Sequence, residues 1–245
     1  MIKEAIDRII ELSGPKTVRI NGEEYSSERL NRIPKDIICE PLMLNSLKGF
    51  IDFIKSKSDI DFSKSGCLIH IITPTQVKLL SDLNSDGKRD TYVDTVATIP
   101  EFTFGRKYNN EEFLINVQAK FVDSPFCDND KPLLLKFAGT VKNGSVTEYG
   151  DDGVTQKATV KVGVSTLADA QVPSPCHLFP YRTFIEIDQP GSDFIFRMFD
   201  DKSGGVDCAL YEADGGAWRI EAKANIYRYL KAELEEIGIN IPIVM

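Results

Sequence analysis

Alternating apolar and polar positions dominate the last third of the chain, where glycine turns separate four apolar-rich runs within residues 183–222. Residues 194–199 are apolar at nearly every position, which is typical of a central strand with both faces at least partly buried. Two further runs flank Asp214, Gly215 and Gly216. Because glycine adopts positive φ at little cost, this turn predicts a hairpin between residues 208–210 and 218–220.

Helical spacing of apolar residues predicts five helices. They are expected at residues 2–12, after Asn45 or Ser46, after Asn109 and Asn110, at residues 130–137 with a stop at Gly139, and at residues 223–237. Strands are expected on both sides of the turn formed by Asn21 and Gly22, at 67–73, 76–80 and 91–98, and at 154–163, where apolar and cationic residues alternate.

These elements predict an α+β fold, a mainly antiparallel β-sheet covered by about four or five helices. Residues 1–45 are expected to form an N-terminal lobe of one helix and one hairpin. Residues 46–245 are expected to form the main α+β domain.

Composition narrows the class of protein. The 245 residues are 42% hydrophobic and 27% charged, as in an ordinary soluble globular chain. A formal net charge of −8 argues against a broad nucleic-acid-binding face, because phosphate binding requires a positive surface. Five cysteines without CxxC spacing favour free thiols in a reducing cytoplasm. No segment approaches the roughly 18 to 20 apolar residues that cross a bilayer, so no membrane partner is expected.

Three segments carry a resemblance to known sequences. They are FAGTVKNGSVTEYGDDGVTQKATVKVGV, VPSPCHLFPYRTFIEIDQPGSDFIFRM and ALYEADGGAW. They resemble uncharacterised proteins encoded by phages and prophages of low-GC Gram-positive bacteria, which are similar in turn to the YfdQ-like prophage proteins of unknown function. The resemblance implies a phage-encoded protein that works in the host cytoplasm, and it implies no functional residues.

The segment DLNSDGKRD is a candidate metal site. Asp82, Asn84, Asp86 and Asp90 match oxygen-ligand positions of an EF-hand-type calcium loop, in which closely spaced oxygens surround a hard cation. The match fails at its last position, where Val93 replaces a bidentate carboxylate. The alternative is a solvated hairpin turn built from standard turn formers. We expect that the chain needs no cofactor, and Ca²⁺ or Mg²⁺ is the alternative.

A second candidate is a nuclease-like set. Asp207 or Asp214 upstream of Glu221 and Lys223 matches the D...ExK arrangement, in which carboxylates hold Mg²⁺ and a lysine orients water. Residues two apart on a strand share a face, so Glu221 and Lys223 would point the same way. ExK is short enough to arise by chance, and the alternative is a solvent-exposed strand end and helix start.

A third candidate, Cys176 beside His177, is set aside because adjacent residues on a strand point to opposite faces. The sequence also lacks a glycine-rich phosphate loop of the GxxxxGK[ST] or GxGxxG kind.

The expected function is therefore a non-enzymatic binding or self-assembling protein, and the alternative is a Mg²⁺-dependent nuclease. The expected partners of the chain are further copies of itself, in a homo-oligomer, and a host or phage protein. Two surfaces are expected to carry assembly, the apolar tail after residue 237 and the edge of the 154–163 strand. Docking of the tail on its own sheet is the alternative.

Overall fold

A computed structural model describes most of the chain. The described residues are 2–14, 17–20, 23–26, 40–57, 66–84, 87–123, 129–143, 145–151, 156–162, 165–166, 170–171, 174–200 and 206–245. Contacts divide the chain into two compact units, Met1–Cys39 and Glu40–Met245.

The helices are α1 (Ile2–Ser13), α2 (Leu47–Ser56), α3 (Asn110–Lys120), α4 (Lys131–Asn143) and α5 (Trp218–Glu236). The strands of the first half are β1 (Thr17–Ile20), β2 (Glu23–Ser26), β3 (Leu42–Leu44), β4 (Cys67–Thr73), β5 (Gln76–Ser81), β6 (Thr91–Val96) and β7 (Tyr108–Asn109). Those of the second half are β8 (Ser145–Asp151), β9 (Gln156–Val162), β10 (Ser165–Thr166), β11 (Ala170–Gln171), β12 (Cys176–Leu178), β13 (Ser192–Asp200), β14 (Val206–Glu212) and β15 (Ile243–Val244). The expectation of an α+β fold is confirmed.

The first unit contains α1 and the antiparallel hairpin β1–β2, as the Asn-Gly turn signal predicts. Ile2, Ile6 and Ile9 recur at helical spacing along α1 and are exposed.

A five-stranded sheet in the order β15-β4-β5-β6-β3 is the first of two main sheets in the second unit. Its three central strands are antiparallel, as predicted, and β15 and β3 join its edges in parallel. The helices α2 and α5 cover one face, because each presents a stripe of large apolar residues that packs on the buried positions of the sheet. Ser46 caps α2 by accepting a hydrogen bond from the Gly49 amide at 3.1 Å. β3 precedes the predicted domain boundary at residue 45 and pairs in this sheet.

A four-stranded antiparallel sheet in the order β12-β13-β14-β7 is the second main sheet of this unit. β13 lies in its interior, as the apolar run at residues 194–199 predicts. Phe113 and Val117 of α3 and Leu134 and Phe137 of α4 pack against this sheet in a second hydrophobic cluster. Each main sheet thus has two helices on one face.

A small third sheet lies between α4 and β12 in the sequence. β9 pairs with β8 on one side and with β10 and β11 on the other. The edge of the 154–163 strand, predicted to be free for assembly, is therefore already paired within the chain. The prediction of a free edge was wrong, because β9 pairs with the equally long β8 on one side and with the two-residue strands β10 and β11 on the other.

The C-terminal tail also docks on its own chain. Ile239 and Ile241 are buried in the first hydrophobic cluster, and β15 pairs with β4. The Ile69 amide donates a hydrogen bond to the Pro242 carbonyl at 2.9 Å. The tail thus follows the alternative stated above, since its apolar residues complete the core of the same subunit.

Two helices extend further than predicted. α4 continues through Gly139 to Asn143, because packing of Leu134, Phe137 and Ala138 outweighs the cost of about 1 kcal/mol for a helical glycine. α5 begins at Trp218, so the predicted strand at residues 218–220 was wrong.

Candidate functional site

Asp214, one of the predicted nuclease residues, lies in a polar cluster before the start of α5. Its Oδ1 accepts a hydrogen bond from the Gly216 amide at 2.9 Å, and its Oδ2 accepts from the Ser192 hydroxyl at 2.7 Å and the Trp218 amide at 3.3 Å. Burial alone would raise the pKa of Asp214, but these hydrogen bonds and the nearby Arg182 charge hold it below its ordinary value. The carboxylate ties β13 to the first turn of α5.

Arg182 is the buried cation of this cluster, with a side chain that is 6% exposed. Its Nη1 donates to Glu212 Oε1 at 3.0 Å, and its Nη2 donates to Ser192 Oγ at 2.5 Å and to the Pro190 carbonyl at 3.3 Å. Burial lowers the pKa of Arg182 to about 10, although the Glu212 and Asp214 carboxylates oppose that shift. The arrangement compensates a buried charge with two acids and fixes the guanidinium in one orientation.

Two aromatic rings lie within cation–π distance of the Arg182 guanidinium. Its central carbon lies 4.1 Å from the centroid of the Trp218 ring and 5.6 Å from that of Phe194. Arg219 lies over Trp218 at 5.0 Å. Arg182 Nε and Trp218 Nε1 are buried and have no acceptor among the described residues. The stack therefore gains cation–π attraction at the cost of two unsatisfied donors.

The structure does not bring the D...ExK residues into the predicted arrangement. Glu221 and Lys223 lie on α5 and not on a strand. About 200° of helical rotation separates them, so their side chains point to nearly opposite sides of the helix. Asp207 lies within β14, opposite Phe199, and Asp214 is engaged with three donors. The two apolar residues Trp218 and Ile220 had suggested strand alternation, but the helical stripe of α5 determines the local structure.

The segment DLNSDGKRD forms the connection between β5 and β6. Asn84 Oδ1 accepts a hydrogen bond from the Lys88 amide at 3.0 Å, and the Asn84 amide donates to the Lys88 carbonyl at 2.8 Å. The Asp90 amide donates to Ser81 Oγ at 2.8 Å. These bonds are those of a hairpin turn in which the asparagine side chain closes the backbone.

The other two predicted calcium ligands are Asp82 and Asp86. Asp86 lies outside the described residues. The Asp82 carboxylate lies so close to the backbone of Gly66 that a Cβ atom at position 66 would overlap this carboxylate. Across the described part of the chain, no three or more His, Cys, Asp or Glu side chains are grouped to hold a metal ion.

Cys176 and His177 point to opposite faces of β12, as strand geometry requires. Burial raises the pKa of Cys176 to about 12, and its thiol donates to the Phe194 carbonyl. His177 Nδ1 lies 2.7 Å from Asp193 Oδ1 on the exposed side. The imidazole and the thiol therefore do not act on each other.

A second candidate site is the face of the five-stranded sheet opposite α2 and α5, which we call the outer face. The strand registers align one residue from each of the five strands in a single row across it. The row runs through Val244, His70, Lys78, Asp94 and Met43.

Apolar side chains occupy much of the outer face. Met43 is 64% exposed, Val244 47% and Val96 41%. Leu68 and Leu80 form a cross-strand pair on the same face and are partly exposed. None of the five belongs to either hydrophobic cluster.

A polar group lies at the centre of the outer face. Lys78 Nζ is 3.0 Å from Asp94 Oδ2, and Gln76 Nε2 donates to Asp94 Oδ1 at 2.9 Å. The two charges of this group cancel, so the centre of the face is polar without net charge.

This surface is not among the sites predicted from the sequence. Its signal was present in residues 67–73, which are apolar at most positions of both parities, a pattern that indicates apolar residues on both faces of a strand.

Comparison with models of known families, with curated proteins and with solved structures finds no match to this chain. None of the described helices is both long enough and apolar enough to span a membrane.

Proposed function

We propose that the chain is a non-catalytic protein-binding module and that the outer face of its five-stranded sheet is the binding surface. The observation that supports this is the exposure of Met43, Val96 and Val244 on one face of a sheet whose other face is fully packed.

A solvated face of an antiparallel sheet normally carries polar residues that alternate with the buried ones. Here Leu68 and Leu80 interrupt that alternation on neighbouring strands. Exposed apolar residues gathered on one face of a sheet favour an interaction surface, because leaving them in water forgoes about 25 cal/mol for each square ångström that a partner could cover.

The polar centre of the face supports a specific partner. An interface gains most of its free energy from buried apolar area, while charged and polar groups determine which partner fits and in which orientation. Lys78, Asp94 and Gln76 provide such groups between the apolar ends of the row.

We propose a phage or prophage origin and a role in the host cytoplasm, where the partner would be a host or phage protein or the chain itself. This part of the proposal is supported by the sequence resemblance described above.

A photo-crosslinking amino acid in place of Met43 tests the proposal in cells that express the full chain. Irradiation should produce a specific covalent adduct, because the side chain at this position would contact the partner. The matched control places the same amino acid at Lys231, an exposed position on α5. Equal labelling from both positions, or no adduct from position 43, would overturn the proposal.

A further inference from the structure

The central charges of the outer face are arranged so that the face can complement itself. Lys78 on β5 and Asp94 on β6 are direct cross-strand neighbours. A two-fold axis parallel to the strands, lying over the outer face midway between β5 and β6, would place Lys78 of one copy against Asp94 of the other. The same operation places His70 against Met43 of the second copy. Self-complementarity of this kind is what an isologous interface requires.

We propose that the partner of the outer face is a second copy of this chain, docked face to face about this two-fold axis. The inference rests on the proposed binding function of the outer face and names its occupant.

Charge supports this occupant. The chain carries a formal net charge of −8, so two copies repel each other at long range. The centre of the outer face presents one cation and one anion, and each would meet its opposite on the second copy. Approach through this face therefore avoids the repulsion that other orientations would meet.

The ion pairs and the apolar residues have separate roles in this interface. Leu68, Leu80, Met43 and Val96 would lose water and provide the favourable burial. Lys78 and Asp94 already pair within one chain, so crossed pairing contributes little net affinity and instead fixes the register.

Light scattering of the purified full chain, with a charge-reversal series, tests the inference. At micromolar concentration the wild-type chain should scatter at twice its 27.4 kDa mass. Lys78→Glu should be monomeric, because the introduced carboxylate would lie beside Asp94 in its own chain and opposite Asp94 of the second copy. The double variant Lys78→Glu with Asp94→Lys restores both pairings and should return to the dimer. Lys231→Glu, which reverses an exposed lysine on α5, should remain dimeric.

Thermal unfolding of each variant separates assembly from folding. A folded double variant that stays monomeric would overturn the two-fold register, and a monomeric wild-type chain would overturn the second copy as occupant. If the wild type is monomeric but position 43 still crosslinks to a different protein in cells, the binding function stands and only this inference fails.

Discussion

The Ser192 hydroxyl donates a hydrogen bond to Asp214 Oδ2 over 2.7 Å, which joins β13 to the helix that follows the next strand. Asp214→Ala removes the acceptor for this hydroxyl and for the amides of Gly216 and Trp218. By comparison with lost helix caps, we expect the free energy of unfolding at pH 7 to fall by about 1–2 kcal/mol. Urea denaturation measures it. Asp207→Asn, a half-exposed position on β14, is the control and should change it by less than about 0.5 kcal/mol.

The same carboxylate should give a pH-dependent contribution to stability. Because the folded-state pKa of Asp214 is lowered, its contribution is present above the unfolded pKa of about 3.9 and is lost as the pH falls through the folded value. The stability difference between wild type and Asp214→Ala should therefore be full at pH 7 and shrink as the pH falls below about 4. A difference that is the same at pH 7 and pH 3 would contradict the role of the charge.

Two substitutions of Trp218 should separate the contribution of ring stacking to stability from that of hydrogen bonding in the Arg182 cluster. Trp218→Phe retains an aromatic ring near the guanidinium and removes a buried donor that lacks an acceptor among the described residues. Because an unsatisfied donor costs about 1–3 kcal/mol, its removal should offset much of the lost ring area. Trp218→Ala removes the ring as well and should destabilise more strongly. Thermal unfolding that ranks the two variants equally would show that the stack contributes nothing.

The positions of Glu221 and Lys223 on α5 predict that the chain does not cleave DNA through a D...ExK set. Plasmid and linear DNA should remain intact with Mg²⁺ or Mn²⁺. Glu221→Ala should leave the melting temperature nearly unchanged, because this position is exposed in the first turn of a long helix. Metal-dependent cleavage by the wild type that Glu221→Ala abolishes would restore the nuclease alternative.

The β5–β6 turn predicts no thermal shift with calcium. Asn84 Oδ1 is engaged by the Lys88 amide, and a ligand stabilises a protein only if it binds the folded state. Chelator-treated protein should melt at the same temperature with and without millimolar Ca²⁺. A melting temperature that rises and saturates with Ca²⁺ would contradict this assignment.

Most of the fold could be predicted from the sequence, because residues close together in the chain specify each of the following elements. The Ser46 cap, the apolar stripe of α2 and the three strands from Cys67 to Val96 each carry their own signal. The start of α5 did not, because Trp218 and Ile220 alternate like strand residues while the helix is stabilised by packing of Ile226, Leu230 and Leu234 far along it.

The candidate surface could not be found in this way, because it depends on register. Met43 and Asp94 are neighbours only through the parallel pairing of β3 with β6, and Val244 reaches the row only because the tail docks on β4. A sequence pattern shows that a strand has two apolar faces, but it does not show which strands lie side by side.

The site of covalent attachment within the purified protein tests the face-to-face interface most directly. A photo-crosslinking amino acid at position 43, followed by mass spectrometry of the adduct, identifies the residue that it contacts on the second copy. A two-fold axis between β5 and β6 predicts attachment on β4, at or beside His70 of the second copy. Attachment to residues outside the outer face, or no attachment at concentrations where the chain is dimeric, would contradict the account.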